Sequence, residues 1–230
     1  MTIPLTKTLS PLDYEELMPE LHVVDAHFDK DRPQHERRRW EYAMALRALA
    51  EWRNGKDYRE PARVADVGGA GSPFWRMLDC RVHEIDPDSP PNLTLQQYLT
   101  TTRQLEDETH PLLFPSVFCL SVLEHVDDLD QFLFHLSCLV APGGLLFLTM
   151  DCCGCDRLHN EENYPDRHHF HWMRKRLFTI DDRVRVMHSF ILGIGRERSD
   201  FSLFGEADFT YYGDTVYDYS FASLALVKRA

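Results

Sequence analysis

Residues 116–151, "SVFCLSVLEHVDDLDQFLFHLSCLVAPGGLLFLTMD", constrain the fold more than any other stretch. The run over 116–123 is apolar and of strand length. Over 127–140, Leu129, Phe132, Leu133 and Leu136 fall at helical spacing, with Asp127 or Asp128 placed to cap the start. Pro142, Gly143 and Gly144 then make a turn, and a second apolar run follows over 145–151. Runs this apolar fit strands buried in a sheet that helices cover.

The same alternation extends to both sides. "RVADVGG" (63–69) and "RVHEID" (81–86) read as strands around a short helix at 72–79, and 93–99 reads as a third strand. A polar helix or loop follows over 101–109. Thr179 opens a T-x-x-D cap for a helix with Ile180, Val184, Met187 and Ile191 on one face, and 207–229 reads as a terminal hairpin. The first sixty residues read as helical and rather polar. Their clearest helix, 33–52, has Pro33 in its first turn, Tyr42, Ala45, Leu46 and Leu49 on one face, and Asn54-Gly55 as its stop. Strands alternating with helices predict an α/β fold with a mostly parallel sheet. At 230 residues the chain suits one domain with its own core. The expected division is an N-terminal helical cap segment over 1–60 and an α/β domain over 61–230, with an insertion at about 152–178.

A formal net charge of −12 argues against nucleic acid as a partner, because nonspecific phosphate binding needs a basic surface. The one dense basic run, Arg37-Arg38-Arg39, reads as a solvated helix face. No apolar run reaches the length of a membrane span, and "MTIPLTKTLSPLDYEEL" lacks the apolar core of a signal peptide. The expected compartment is the cytoplasm, where cysteines stay reduced, and Cys119 and Cys138 then read as core residues.

In a parallel sheet the ligand crevice lies at the carboxyl ends of the strands, near the switch in strand order. That places 68–72, 84–88, 121–126 and the chain from Asp151 onward together. In "VADVGGAGS", glycines just past a strand let the backbone turn tightly and approach a ligand. Asp86, twenty residues after Asp66, stands where a carboxylate accepts hydrogen bonds from ribose hydroxyls. A nicotinamide-type G-x-G-x-x-G register fails, since Gly69 and Gly71 lead to Phe74.

"VADVGGAGS", "VHEIDPD", "LSVLEHVDDLDQFL…LVAPGGLLFLT" and the closing "SFASLALVKR" together resemble a class I S-adenosylmethionine-dependent methyltransferase, from about residue 63 to the C-terminus. The resemblance implies a Rossmann-like seven-stranded sheet with an antiparallel seventh strand, and S-adenosyl-L-methionine as the cofactor. It implies that Asp66, Gly68, Gly69, Ala70 and Gly71 form the cofactor loop. Asp86 would be the ribose-binding acid, with Glu84 as the alternative, and Leu120 and Ser121 would line the cofactor through their backbone. Methyl transfer is an in-line displacement, so positioning carries much of it, and a general base serves an oxygen or nitrogen acceptor. His125 and Asp151 are the candidates for that base. Trp40 and Tyr42 offer flat surfaces for lining a ligand or closing a lid, with plain helix packing the favoured reading for each. A small-molecule acceptor is expected, with an exposed protein group as the other choice. The chain also departs from the family pattern. Ala70 and Ser72 replace two glycines of the loop, and Gln96 and Gln97 stand where a third acid belongs. These departures motivate the alternative of a non-catalytic scaffold or complex subunit.

"DCCGCDRLHNEENYPDRHHFHW" (151–172) sets Cys152 and Cys155 twelve residues ahead of His168 and His171. The spacing resembles a zinc finger, but the histidines stand one residue closer than usual and the segment lacks a finger's apolar residues. A metal on Cys152, Cys155, His168 and His171 is one reading. The favoured reading is a lid or substrate loop without metal, in which His168, His169 and His171 face the acceptor.

Overall fold

Strands that are apolar on both faces become the centre of a sheet, and the rest of this chain is arranged around two of them. The structure, a computed structural model, describes residues 4–27, 35–54, 63–69, 72–78, 80–88, 93–105, 113–152, 178–192, 200–210 and 220–230. Its elements run β1 (Thr6–Lys7), α1 (Asp13–Glu16), α2 (Met18–His27), α3 (His35–Asn54), β2 (Arg63–Val67), β3 (Arg81–Ile85), α4 (Leu95–Leu105), β4 (Phe114–Leu120), α5 (Leu129–Leu139), β5 (Val140–Cys152), α6 (Ile180–Leu192), β6 (Phe201–Leu203), β7 (Ala207–Asp208) and β8 (Ser220–Lys228).

Among the described residues the main sheet has six strands in the order β3-β2-β4-β5-β8-β6. The pairs β2–β3, β2–β4 and β4–β5 are parallel, and β8 is antiparallel to both β5 and β6. The expected antiparallel last strand is therefore present. Chain direction across the sheet reverses beside β2, with β3 on one side and β4 on the other, which makes the β2/β4 boundary the switch point.

Strand alternation splits the core into two layers. Val117, Cys119, Leu146 and Leu148 face one way, into a cluster with Leu99 of α4, Leu133 and Leu136 of α5, and Phe190 of α6. Phe118, Leu120, Leu145 and Phe147 face the other way, against Trp40, Met44 and Trp52 of α3 and Leu21 of α2. α3 thus lies directly on the sheet and shares its core. Beneath it, Lys7 Nζ and Asp13 Oδ1 form a buried ion pair at 2.5 Å, and Trp40 Nε1 donates to Asp13 Oδ2 at 2.9 Å.

Several expectations are corrected. The run 93–99 is not a third strand, and the described sheet does not reach the seven strands the resemblance implies. Leu95, Tyr98 and Leu99 are buried at i, i+3 and i+4, and Thr94 with Gln97 forms a capping box, so helical periodicity outweighs strand propensity. Thr94→Ala is expected to cost about 1 kcal/mol in urea unfolding, the usual value of such a cap. The helix read at 72–79 is a single 3₁₀ turn, Phe74–Met77. β8 does end the chain, but its hairpin-like partner is β6, whereas β7 leaves the main sheet to pair with β1. Asp128, not Asp127, caps α5, accepting from Gln131 N at 3.0 Å. The cap at Thr179 and Asp182 forms as read, yet α6 buries Arg183, Val186, Met187 and Phe190, a face rotated from the expected one.

Candidate functional site

The carboxyl ends of β2, β3, β4 and β5 meet at the switch point. After β2 the chain turns at Gly68, whose φ is 77° and whose N–H donates to Ile85 O at 3.0 Å. A Cβ there would lie 2.4 Å from Val122 Cγ2, so the turn also needs the missing side chain for close packing on β4's exit. At Gly69 a Cβ would lie 2.2 Å from Asp66 Oδ2. The Asp66 carboxyl therefore sits against the glycine backbone, and its Oδ2 is buried with no hydrogen-bond partner among the described residues. Burial first, then Glu84 and Asp86, push this carboxyl up to about 7. Ser72 extends the turn: its N–H donates to Gly69 O at 2.7 Å, and its Oγ lies 2.9 Å from Tyr42 Oη.

Glu84 pairs in register with Asp66 across β2 and β3, so the two acids share a sheet face. Asp86 lies just past the end of β3, buried, with Oδ1 accepting from Asp88 N at 2.7 Å.

β4 ends at Leu120, and Ser121 adopts φ 51°, the one positive φ outside glycine among the described residues. Such a conformation persists only where neighbours enforce it, and it clusters at functional sites. Two side chains, Thr149 and Glu41, enforce it here through three hydrogen bonds. Ser121 N donates to Thr149 Oγ1 at 3.0 Å, and Ser121 Oγ donates to Glu41 Oε1 at 2.5 Å. Thr149 Oγ1 also donates to Glu41 Oε1. Thus α3 reaches across the sheet edge and ties β4 to β5.

A second acid lies beside it. Glu124 Oε1 accepts from Asp151 N at 2.7 Å, while its Oε2 is buried with no hydrogen-bond partner among the described residues. Burial, then repulsion from Asp151, push the Glu124 carboxyl up to about 8. Burial likewise raises Glu41. The counter-charge is Arg38, one turn before Glu41, with Nη1 3.6 Å from Glu41 Oε2.

The structure brings Asp66, Gly68, Gly69, Glu84, Asp86, Leu120, Ser121 and Asp151 to one edge of the sheet. His125 is at an exposed position on the turn Leu123–His125. Tyr42 reaches the glycine turn through Ser72 and stacks on Phe74 with centroids 5.5 Å apart. Trp40 is corrected from a lid or substrate residue to a packing residue, because it is fully buried and its indole N–H is spent on Asp13. Cys152 is fully buried in the core at the end of β5. Ala70, Gly71, Cys155, His168, His169 and His171 lie outside the described residues. Of the run Arg37-Arg38-Arg39, read as a solvated face, Arg38 and Arg39 are part-exposed and carry ion pairs. Arg38 pairs with Glu41, and Arg39 makes a two-pronged pair with Asp25 at 2.6 Å.

Sequence reasoning missed Glu41, Ser72 and Thr149. A signal for Glu41 existed: it sits among Trp40, Tyr42, Ala45 and Ala48, an acid on a helix face otherwise apolar and buried.

No protein-family model matches the chain, and no curated protein matches it in sequence. Solved structures do. The [4+2]-cyclase SpnF aligns over 95% of this chain and 95% of its own, with a TM-score of 0.50 and 11% identity. The 1,6-didemethyltoxoflavin-N1-methyltransferase of Burkholderia thailandensis, solved with 1,6-didemethyltoxoflavin and S-adenosylhomocysteine, aligns over 100% of this chain and 94% of its own at TM-score 0.49 and 14% identity. Phosphoethanolamine N-methyltransferase 2 of Haemonchus contortus, solved with S-adenosyl-L-methionine, aligns over 80% of this chain at TM-score 0.48 and 16% identity. The chain spans about half of that protein's length, 53%. At these identities the likeness is one of fold. The resemblance read from the sequence holds at that level: a mostly parallel α/β sheet with an antiparallel strand near its edge. No helix among the described residues is long and apolar enough to cross a membrane.

Proposed function

We propose that the chain binds S-adenosyl-L-methionine at the β2/β4 switch point and transfers its methyl group to a small-molecule or protein acceptor. The observation that carries this reading is the glycine turn at Gly68, flanked by buried Asp66 and followed one strand later by buried Asp86. The residues present suit such a ligand. The Asp66 oxygen without a partner is ready to accept a hydrogen bond, and the side-chain-free Gly68-Gly69 backbone permits close approach. When bound, S-adenosyl-L-methionine would supply a methyl group made electrophilic by a positively charged sulfur.

The chain's own residues then position and neutralise. Asp86, just past β3, accepts from vicinal hydroxyls in the way acids at this place do. The Leu120–Ser121 backbone, held by Thr149 and Glu41, forms a rigid wall at the crevice. Tyr42 and Ser72 brace the glycine turn from the α3 side. Of the two candidate bases, Asp151 is the better sited, at the end of β5 and inside the edge cluster, whereas His125 faces outward on its turn.

Asp86→Ala tests the ribose assignment. It is expected to weaken S-adenosylhomocysteine binding at least tenfold in calorimetry, because hydrogen bonds to a charged group are worth about 1.5–3 kcal/mol. Unchanged affinity would remove Asp86 from the site. Methyl transfer itself is read by following S-adenosylhomocysteine release across acceptor panels.

A further inference from the structure

Among the described residues, the ends of β4 and β5 gather three buried carboxyl groups beside one guanidinium. Glu41, Glu124 and Asp151 are 0%, 2% and 0% exposed. They come from α3, the turn after β4 and the end of β5; Glu41 is pushed up by the charge of Asp151, and Glu124 by those of Asp151 and Glu41. Among the described residues, Arg38 is the cation beside these acids: it pairs with Glu41, and Glu124, Asp151 and the Tyr42 hydroxyl act on its charge. Its hold is loose, since Nη1 stands 3.6 Å from Glu41 Oε2 and the Arg38 side chain is 38% exposed. Glu41 Oε1 is already committed to Ser121 and Thr149, and Glu124 Oε1 to the Asp151 backbone. Glu124 Oε2 has no hydrogen-bond partner among the described residues, although it is buried. A buried carboxylate oxygen left unfilled costs several kcal/mol unless it takes up a proton or a cation.

We propose that this cluster is a subsite for an organic cation, an alkylammonium or guanidinium group on the methyl acceptor, whose place the Arg38 guanidinium holds until the acceptor enters. The proposal rests on the methyl-transfer reading above. The sheet order separates the two halves of the crevice: the glycine turn and Asp86 stand at the ends of β2 and β3, and the acids stand at the ends of β4 and β5. The cation proposed is an organic one, in keeping with the guanidinium that stands beside Glu41. Arg38 shows what fits: a cation on a part-exposed side chain that approaches Glu41 Oε2, while Glu124 Oε2 is a second buried oxygen without a hydrogen-bond partner among the described residues. An ammonium has the donors to bridge both oxygens.

The test uses the whole chain and four probes of similar size: n-butylammonium, methylguanidinium, n-butanol and butyrate. Binding is read by calorimetry and by thermal shift, at equal ionic strength, with and without saturating S-adenosylhomocysteine. The cations are expected to bind at least tenfold more tightly than n-butanol or butyrate. Glu124→Gln is expected to erase that preference at least tenfold while leaving S-adenosylhomocysteine affinity within twofold. Arg38→Ala, which empties the place, is expected to raise cation affinity. Equal binding of charged and neutral probes by the wild-type protein overturns the proposal, and that comparison needs no variant to fold. A matching loss of S-adenosylhomocysteine affinity in Glu124→Gln also overturns it, because the acids would then serve the amino group of the cofactor. If S-adenosylhomocysteine does not bind while the cations do, the methyl-transfer reading fails and the cation site stands alone.

Discussion

Gly68→Ala is expected to destabilise the protein by about 2–5 kcal/mol and to abolish measurable S-adenosylhomocysteine binding. Two costs combine. Alanine at φ 77° pays about 1–2 kcal/mol for a left-handed backbone. Its Cβ would also meet Val122 Cγ2 at 2.4 Å and Cγ1 at 2.8 Å, and such overpacking costs about 1–3 kcal/mol. Gly205 provides the internal control. Its φ is 81°, with nothing within 4 Å of an added Cβ, so Gly205→Ala is expected to show the backbone cost alone, about 1–2 kcal/mol. Val122→Ala in the Gly68→Ala background is expected to return part of the steric loss and none of the backbone loss, a coupling that a double-mutant cycle in urea resolves. Equal effects at Gly68 and Gly205 would show that Val122 does not crowd the turn.

The second large effect is on pH dependence. Asp66 is pushed up to about 7 and Glu124 up to about 8, in both cases chiefly by burial. In the unfolded chain both titrate near 4. Between these limits the folded protein holds protons that the unfolded chain has released, so stability is highest at the acid end of the window and falls as pH rises. The loss begins above about pH 4 and is complete once pH passes about 8. A carboxyl moved from about 4 to about 7 contributes up to about 4 kcal/mol to this slope, and less where water reaches the charge. Urea unfolding from pH 5 to pH 9 checks it. Asp66→Asn and Glu124→Gln are each expected to flatten the curve and to leave the variant more stable than the parent at pH 8.5. A parent protein equally stable at pH 5 and pH 8.5, with no effect of either substitution, would contradict the burial of these charges. A bound cation at Glu124 acts in the opposite sense and is expected to recover stability at high pH.

The centre of the fold was legible because 117–120 and 145–148 are apolar at every position, and only a strand covered on both faces tolerates that. The glycine turn was legible from its place after a strand, and Asp86 from its distance to Asp66. α4 was misread because Leu, Thr and Tyr suit strands, whereas the spacing of Leu95, Tyr98 and Leu99 suits a helix, and spacing decided. β1 and β7 have two residues each, too short to leave a periodic trace. Glu41 illustrates the deeper limit. Its contact with Ser121 spans 80 residues and its contact with Thr149 spans 108, so only the packed fold joins them. Arg38 read as surface charge for a related reason: besides Glu41 on its own helix, the acids that act on it lie on the turn after β4 and at the end of β5.

The most direct test of the central claim is a calorimetric titration of the folded wild-type chain with S-adenosylhomocysteine, with NADH as the comparison nucleotide. One saturable site for S-adenosylhomocysteine is predicted, weakened at least tenfold by Asp86→Ala, and none for NADH. A well-folded protein that gives no heat and no thermal shift with S-adenosylhomocysteine would contradict the account.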